Sequence, residues 1–311
     1  MGGKPRDGRG EIHRLAYRLV VALAQRPAPS RDLERAADRR RALLILPALA
    51  FLVLGFLYPL AALVGTSVYD RGFTLQHYQR LFTVPAYLKV LLNTVETAAL
   101  VTVICLALGY PLAYRLATSA GGVRAILVAG ILMPFWTSLL VRAYGWMVIL
   151  HPSGLLNTLL LGLGLVREPL ELVNNTTGVL IGMTQIMLPY MVLPVAAVMQ
   201  GLDRRLLQAA RSLGASPWKT FVWVYAPLTS PGVAAGCLLV FIISLGFFVI
   251  PALLGGTRDI LLAQLIDFNM SKVLNWGFAA ALSTLLLATT LVIYAVSGRV
   301  FRLHALWGTF R

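Results

Sequence analysis

Long runs without a charged residue constrain this chain more than any other feature. Leu43–Val68, Thr176–Leu202 and Val273–Gly298 contain no Asp, Glu, Lys or Arg, and Thr220–Thr257 is a longer run of the same kind. A helix that crosses a bilayer needs about 20 apolar residues. A soluble domain of this size does not need so many long charge-free segments. The sequence therefore predicts a membrane protein built from helices.

Two further apolar segments bring the predicted number of spans to six. Thr97–Tyr114 is free of charge, and Ala125–Leu150 is interrupted only by Arg142. Because prolines divide the longest run, the predicted fifth span begins after Pro231 and ends near Leu254. We expect an all-α polytopic membrane protein with six transmembrane helices.

The basic residues are distributed unevenly between the two sides of such a six-span arrangement. Of the 27 Lys and Arg residues, 20 lie on the side of the N-terminus and six on the other side. Because a Lys and Arg excess marks the cytoplasmic side, we expect both termini in the cytoplasm. The net charge of +15 then belongs to the inner membrane face. The expected partner of this charge is the lipid bilayer, with no role for nucleic acid.

The basic segments at the two ends of the chain set the boundaries of the predicted transmembrane domain. The N-terminal extension is basic, and its apolar residues from Ile12 to Leu23 follow helical spacing. It fits an amphipathic helix on anionic lipid or a loosely ordered basic tail equally well. The predicted divisions are an N-terminal cytoplasmic extension at 1–41, a transmembrane domain at 42–303 and a cytoplasmic tail at 304–311.

The connection between the fourth and fifth spans, 203–227, predicts two short helices and a turn. Asp203 can cap the first helix, and Gly214 can end it with a positive φ. Ser216 can cap the second helix, with Pro217 at its first position and Pro227 at its end. Such a pair suits docking to a cytoplasmic partner, although an ordinary interfacial helix has the same local chemistry.

The same connection resembles the EAA loop of ABC importer permeases. That pattern is Glu-Ala-Ala, three residues, Gly, nine residues and Ile-x-Leu-Pro. Here Gln208-Ala209-Ala210 is followed at the same spacing by Gly214 and by Val224-x-Ala226-Pro227. Gln208 stands where the family has Glu. Five other segments resemble the spermidine/putrescine-type branch, and together they extend the resemblance over about 43–300: Gly109–Ala113, Pro134–Trp146, Gly154–Asn157, Pro251–Gly256 and Asn275–Ala280.

The resemblance implies a type I ABC importer permease in the bacterial inner membrane. It implies two ATPase subunits, a second permease subunit that is expected to be a paralogue, and an extracytoplasmic substrate-binding protein. ATP and Mg would be held by the ATPase subunits, so this chain would be no enzyme and would carry no cofactor. The residues that it assigns to ATPase coupling are Leu206, Gln208, Ala209, Ala210, Arg211, Ser212, Leu213 and Gly214.

The resemblance leaves the substrate open among polyamines, opines and amino-acid derivatives. Polyamine permeases of this type are expected to carry an acidic residue in the stretch that matches Gly246–Ala252, where Phe247 and Ala252 are apolar here. The substrate is then less cationic than spermidine, or a polycation is recognised by the binding protein or the second permease.

Polar and aromatic residues inside the spans give the candidate pathway. A charge at bilayer depth is costly unless it is paired or hydrated, so Glu96 and Arg142 either pair with each other or line the outer mouth. Prolines in the third and fourth spans free backbone carbonyls, as often happens along a pathway. The candidate pathway residues are Glu96, Thr137, Arg142, Gln185, Tyr190, Ser244 and Phe247.

Two other classes of protein remain as alternatives. A self-contained secondary transporter or channel usually has internal repeats and several intramembrane ionisable groups, which this sequence does not display. A membrane-embedded enzyme needs a catalytic constellation, and neither a Walker A motif nor an H-E-x-x-H motif is present. The four histidines are scattered, and no metal site is expected.

Overall fold

The protein is described by a computed structural model, which describes residues 46–69 and 72–308 and, among these, the side chains of all but 204 and 300–308. The predicted N-terminal extension, 1–41, and the end of the predicted tail lie outside the described residues. The chain divides into two units, Met1–Ala62 and Leu63–Arg311.

The described residues form twelve helices. Six helical segments are long and apolar enough to cross a membrane, which agrees with the predicted all-α architecture. The bounds are α1 Leu46–Val68, α2 Gln76–Thr83, α3 Pro85–Thr118, α4 Gly121–Leu132, α5 Leu139–Leu150, α6 Leu155–Gly162, α7 Thr176–Gly201, α8 Arg204–Ser212, α9 Pro217–Leu245, α10 Val249–Leu254, α11 Leu262–Ser271 and α12 Trp276–Gly308.

The predicted third span, Ala125–Leu150, is not one helix. After α4 comes a 3₁₀ turn at Met133–Trp136, and Thr137 and Ser138 are extended before α5 begins. Thr137 closes the turn by donating its N–H and its hydroxyl to the Pro134 carbonyl, at 3.3 and 3.0 Å. Because proline has no N–H and crowds the preceding turn, a break here costs little. The apolar segment long enough to span is Leu139–Gly162, which joins α5 and α6.

The predicted limits of the fifth span are also wrong. Helix α9 runs without interruption through Pro227 and Pro231, and it ends at Leu245. A π-helical turn at Phe221–Tyr225 ends two residues before Pro227. The wider turn shifts the backbone hydrogen bonds by one residue, which lets the helix accept a proline that would otherwise end it.

Helix α7 lies at the centre of the bundle, between α3 and α9. Glycines on both neighbours allow the close approach. A Cβ on Gly109 of α3 would lie 2.9 Å from Met191 Cγ, and one on Gly236 of α9 would lie 2.8 Å from Met191 Sδ. Small residues at such crossings are typical of membrane helices, whose packing depends on van der Waals contact.

A second buried cluster joins α2, α11 and α12 through Leu81, Leu262 and Phe278.

In α6, the fully buried Asn157 side chain connects the helix to the loop that follows it. Its amide donates to the Leu170 carbonyl at 2.9 Å and accepts from the Leu170 N–H at 2.7 Å. This pair of bonds fixes the loop to the helix.

Candidate functional site

Both helices of the 203–227 connection begin at the capping residues expected from the sequence. Asp203 Oδ1 accepts a hydrogen bond from the Arg205 N–H at 2.9 Å, at the start of α8. Ser216 Oγ accepts from the Lys219 N–H at 3.3 Å, and Pro217 is the first residue of α9. Each cap pairs an N–H that a helix start would leave unsatisfied.

The turn between these helices has the geometry expected of a helix-ending glycine. Gly214 has φ +86°, which is the left-handed region. Its N–H donates to the Arg211 carbonyl at 2.9 Å, and the Ala215 N–H donates to the Ala210 carbonyl at 3.1 Å. These two bonds form a Schellman motif, which fixes the angle at which the chain leaves α8.

The proposed coupling residues lie on the surface of this connection. Leu213 is 89% exposed and Trp218 is 72% exposed, although both are large and apolar. Within α8, Leu207 alone among the described side chains packs against the main core cluster. The residues outside the core are exposed, apart from the half-buried Ala210: Leu206, Gln208, Ala209, Ala210, Arg211, Ser212, Leu213 and Gly214.

A hollow of about 400 Å³ separates α8 from the ends of α3 and α7. Its wall includes Gln208 and Arg211 from α8, Thr118 from α3, and Met199 from α7. The inward side of α8 therefore faces open space over part of its length.

The candidate pathway residues gather partly around α5 and α7. Arg142 and Tyr190 line a cavity of about 30 Å³ together with Pro134 and Pro189. Trp146 Nε1 donates to Gln185 Oε1 at 3.5 Å, and the same Gln185 lines a larger, mostly apolar cavity of about 410 Å³. Thr137 lies at the break between α4 and α5 and is exposed.

Ser244 lies in the last turn of α9, and Phe247 lies two residues beyond the end of that helix. Ser244 Oγ is buried, and its carbonyl accepts from the Phe247 N–H at 3.2 Å. Among the described residues, the Oγ of Ser244 and the Oγ1 of Thr184 have no hydrogen-bond partner. Thr184 is not among the candidate pathway residues, because a threonine in an apolar run carries no signal of its own.

The structure does not pair Glu96 with Arg142. Glu96 is exposed on α3. Arg142 Nε is buried and has no hydrogen-bond partner among the described residues. Of the two alternatives, the ion pair is therefore wrong, because depth in the membrane places two charges at one level but does not place them on facing helices. The position of both residues at the outer mouth stays a prediction.

Comparison with known proteins agrees with this architecture. The family model described as "Binding-protein-dependent transport system inner membrane component" matches residues 41–303. The spermidine/putrescine transport system permease protein PotB of Escherichia coli (strain K12) is 37% identical over 268 residues, covering 83% of this chain and 97% of PotB. The PotB of Haemophilus influenzae is 37% identical over 233 residues, covering 74% and 81% of the two chains.

A solved structure shares the fold at low identity. It is a bacterial alginate ABC transporter in complex with a periplasmic protein that holds an alginate pentasaccharide. The TM-score is 0.71 at 17% identity, over 87% of this chain and 96% of the other. The family expected from the EAA loop and the branch expected from the five other segments are both confirmed. This chain belongs to the binding-protein-dependent transport system inner membrane component family, as the transmembrane permease subunit of an ABC importer.

Proposed function

We propose that this permease forms half of an ATP-driven pathway for polyamines and that α8 is its contact with an ATPase subunit. The observation that carries the contact is the form of α8: it is capped at its start, held at its end by a Schellman motif, and exposed at most of its residues. An element of fixed angle that lies outside the core can move with a partner as a rigid body.

The complete importer would contain two ATPase subunits, a second permease that is a paralogue of this one, and an extracytoplasmic binding protein. ATP and Mg would be held in the ATPase subunits. In this chain, α8 would follow the ATPase subunit, and α3, α7 and α9 would change the side from which the pathway is open. Every step assigned here is binding or movement, with no covalent chemistry.

The proposed orientation places α8 and both termini in the cytoplasm, on the basis of the 20-to-six distribution of Lys and Arg. Single cysteines at the exposed positions Ser216 and Ser153 test it. The two should react with a membrane-impermeant thiol reagent from opposite sides. The unsubstituted protein, with buried Cys105 and half-buried Cys237, is the control. Reaction of both sites from one side would contradict the orientation.

Polyamines are the first candidate substrate, because relatives at 37% identity over nearly their whole length are spermidine/putrescine permeases. A less cationic solute is the second candidate. It is favoured by the apolar Phe247 and Ala252 where an acidic residue is expected, and by Arg142, whose Nε has no partner among the described residues. The positive charge of Arg142, at a candidate pathway position, would repel a polycation and attract a solute with a carboxylate.

Uptake into proteoliposomes that contain the whole complex tests both candidates. Labelled putrescine or spermidine should accumulate only with ATP inside and binding protein outside. Accumulation of a labelled amino-acid derivative, with no competition from polyamines, would select the second candidate. Uptake by this chain without an ATPase subunit would contradict the proposal and favour a secondary transporter.

Substitutions in the loop test the assigned contact. Ala209→Asp places a charge on the exposed face of α8, where docking would bury it unpaired. It should reduce co-purification of the ATPase subunit. Ala120→Asp adds the same charge at an exposed position in the connection between α3 and α4, and it is the matched control. Equal co-purification of both variants would refute the assigned contact.

A further inference from the structure

A stack of aromatic rings connects the beginning of α9 to α3. Going inward from the loop, Trp218 stacks on Phe221 with ring centroids 6.0 Å apart, and Phe221 stacks on Tyr225 at 5.9 Å. Two tyrosines of α3 meet them edge-on, Tyr110 against Phe221 at 6.1 Å and Tyr114 against Tyr225 at 5.6 Å. We call these five residues the aromatic column.

The column begins in the exposed loop and ends in the core. Trp218 is 72% exposed, Phe221 is half-buried, and Tyr225 is buried. At its inner end the Tyr110 hydroxyl is 3.0 Å from Thr229 Oγ1, a contact that ties α3 to α9 one turn further along. Rings packed in these stacked and edge-on arrangements attract each other beyond simple area burial.

The packing of α8 itself offers a weaker connection to the bundle. Leu207 contacts the core, but the hollow of about 400 Å³ lies between much of α8 and the helices behind it. A movement of α8 can therefore be absorbed in that space. The aromatic column also borders this hollow, through Tyr114, Phe221 and Tyr225, but its rings remain in contact with one another. It begins two residues after the cap at Ser216.

The local backbone also sets the column apart from an ordinary helix. Phe221–Tyr225 is the π-helical turn, in which the Ala226 N–H donates to the Phe221 carbonyl. Such turns are rare and frequently occur at functional sites. In an α-helix, residues three and four apart lie on one face, and the wider turn changes which side chains face α3.

From these observations we propose that the aromatic column, with Phe221 at its centre, transmits movement of the coupling loop to α3 and α9. Phe221 is a positioning residue in this role, because it acts through the helices and not on the substrate. The inference rests on the proposed function, in which α8 and its turn follow the ATPase subunit.

The test compares substrate uptake with ATP hydrolysis in the reconstituted whole complex. Phe221→Ala removes three ring contacts, and we expect uptake per ATP hydrolysed to fall about tenfold, with assembly and basal ATP hydrolysis retained. Phe221→Tyr keeps the ring and should restore the wild-type ratio. Trp223→Ala is the matched control, because Trp223 is 75% exposed in the same turn and is not part of the column.

Each outcome of this experiment decides the proposal. An unchanged ratio in Phe221→Ala, or an equal fall in Trp223→Ala, would overturn it. If Phe221→Ala does not assemble, Phe221→Leu keeps apolar bulk without a ring, and a wild-type ratio in that variant would overturn the proposal as well. Absence of ATP-driven uptake in the unsubstituted complex would instead contradict the proposed function.

Discussion

Gly214 provides the sharpest single test of the coupling loop, because a side chain added there strains the backbone conformation without clashing with a neighbour. Its φ is +86°, and an added Cβ would have no heavy atom within 4 Å. Gly214→Ala therefore causes no clash, and its whole cost is the left-handed conformation, about 1–2 kcal/mol. A cost of that size shifts the balance between the Schellman turn and other turns by about 5–30-fold.

The assay measures ATP hydrolysis and uptake by the reconstituted complex at matched permease abundance. We expect Gly214→Ala to insert normally but to lower both ATP hydrolysis stimulated by the binding protein and uptake, because α8 no longer leaves the turn at a fixed angle. Gly214→Asn should be less affected, since asparagine enters the left-handed region more readily.

Gly201→Ala is the matched control for this prediction. Gly201 also has no heavy atom within 4 Å of an added Cβ, but it lies at the end of α7 without a positive φ. Alanine should be harmless there. If Gly214→Ala and Gly201→Ala transport equally well, the angle of the turn has no part in coupling.

Three further predictions concern the rest of the bundle. Gly236→Val should lower the free energy of unfolding of the purified permease by about 1–3 kcal/mol, because a Cβ would lie 2.8 Å from Met191 Sδ and 3.1 Å from the Met191 carbonyl oxygen. The measurement is the melting temperature, and an unchanged value would show that α7 and α9 can move apart without cost. Asn157→Leu removes two side-chain hydrogen bonds to the Leu170 backbone, at about 0.5–1.5 kcal/mol for each bond, and should speed proteolysis of the following loop. Equal cleavage rates would argue against this role. Glu96→Gln should leave membrane abundance unchanged, since the exposed Glu96 has no ion pair with a described residue, and a marked loss would contradict that.

Local chemistry explains why the coupling loop could be predicted closely. Asp203 and Ser216 cap helices through bonds to residues two or three positions away, and Gly214 adopts a conformation that depends on its own missing Cβ. The functional assignment of the loop came from the EAA spacing. For the pathway residues sequence could only suggest candidates, because their surroundings come from other helices.

The amino-acid sequence by itself determined the number of spans, the two helix caps of the coupling loop and the family, because hydrophobic length and capping are properties of neighbouring residues. Tertiary structure decided that α9 passes through Pro227, that Arg142 does not meet Glu96, and that Phe221 lies between rings of α3 and α9. These outcomes depend on which helix faces which and at what height. A rotation of one helix changes all of its contacts and leaves its own sequence pattern the same.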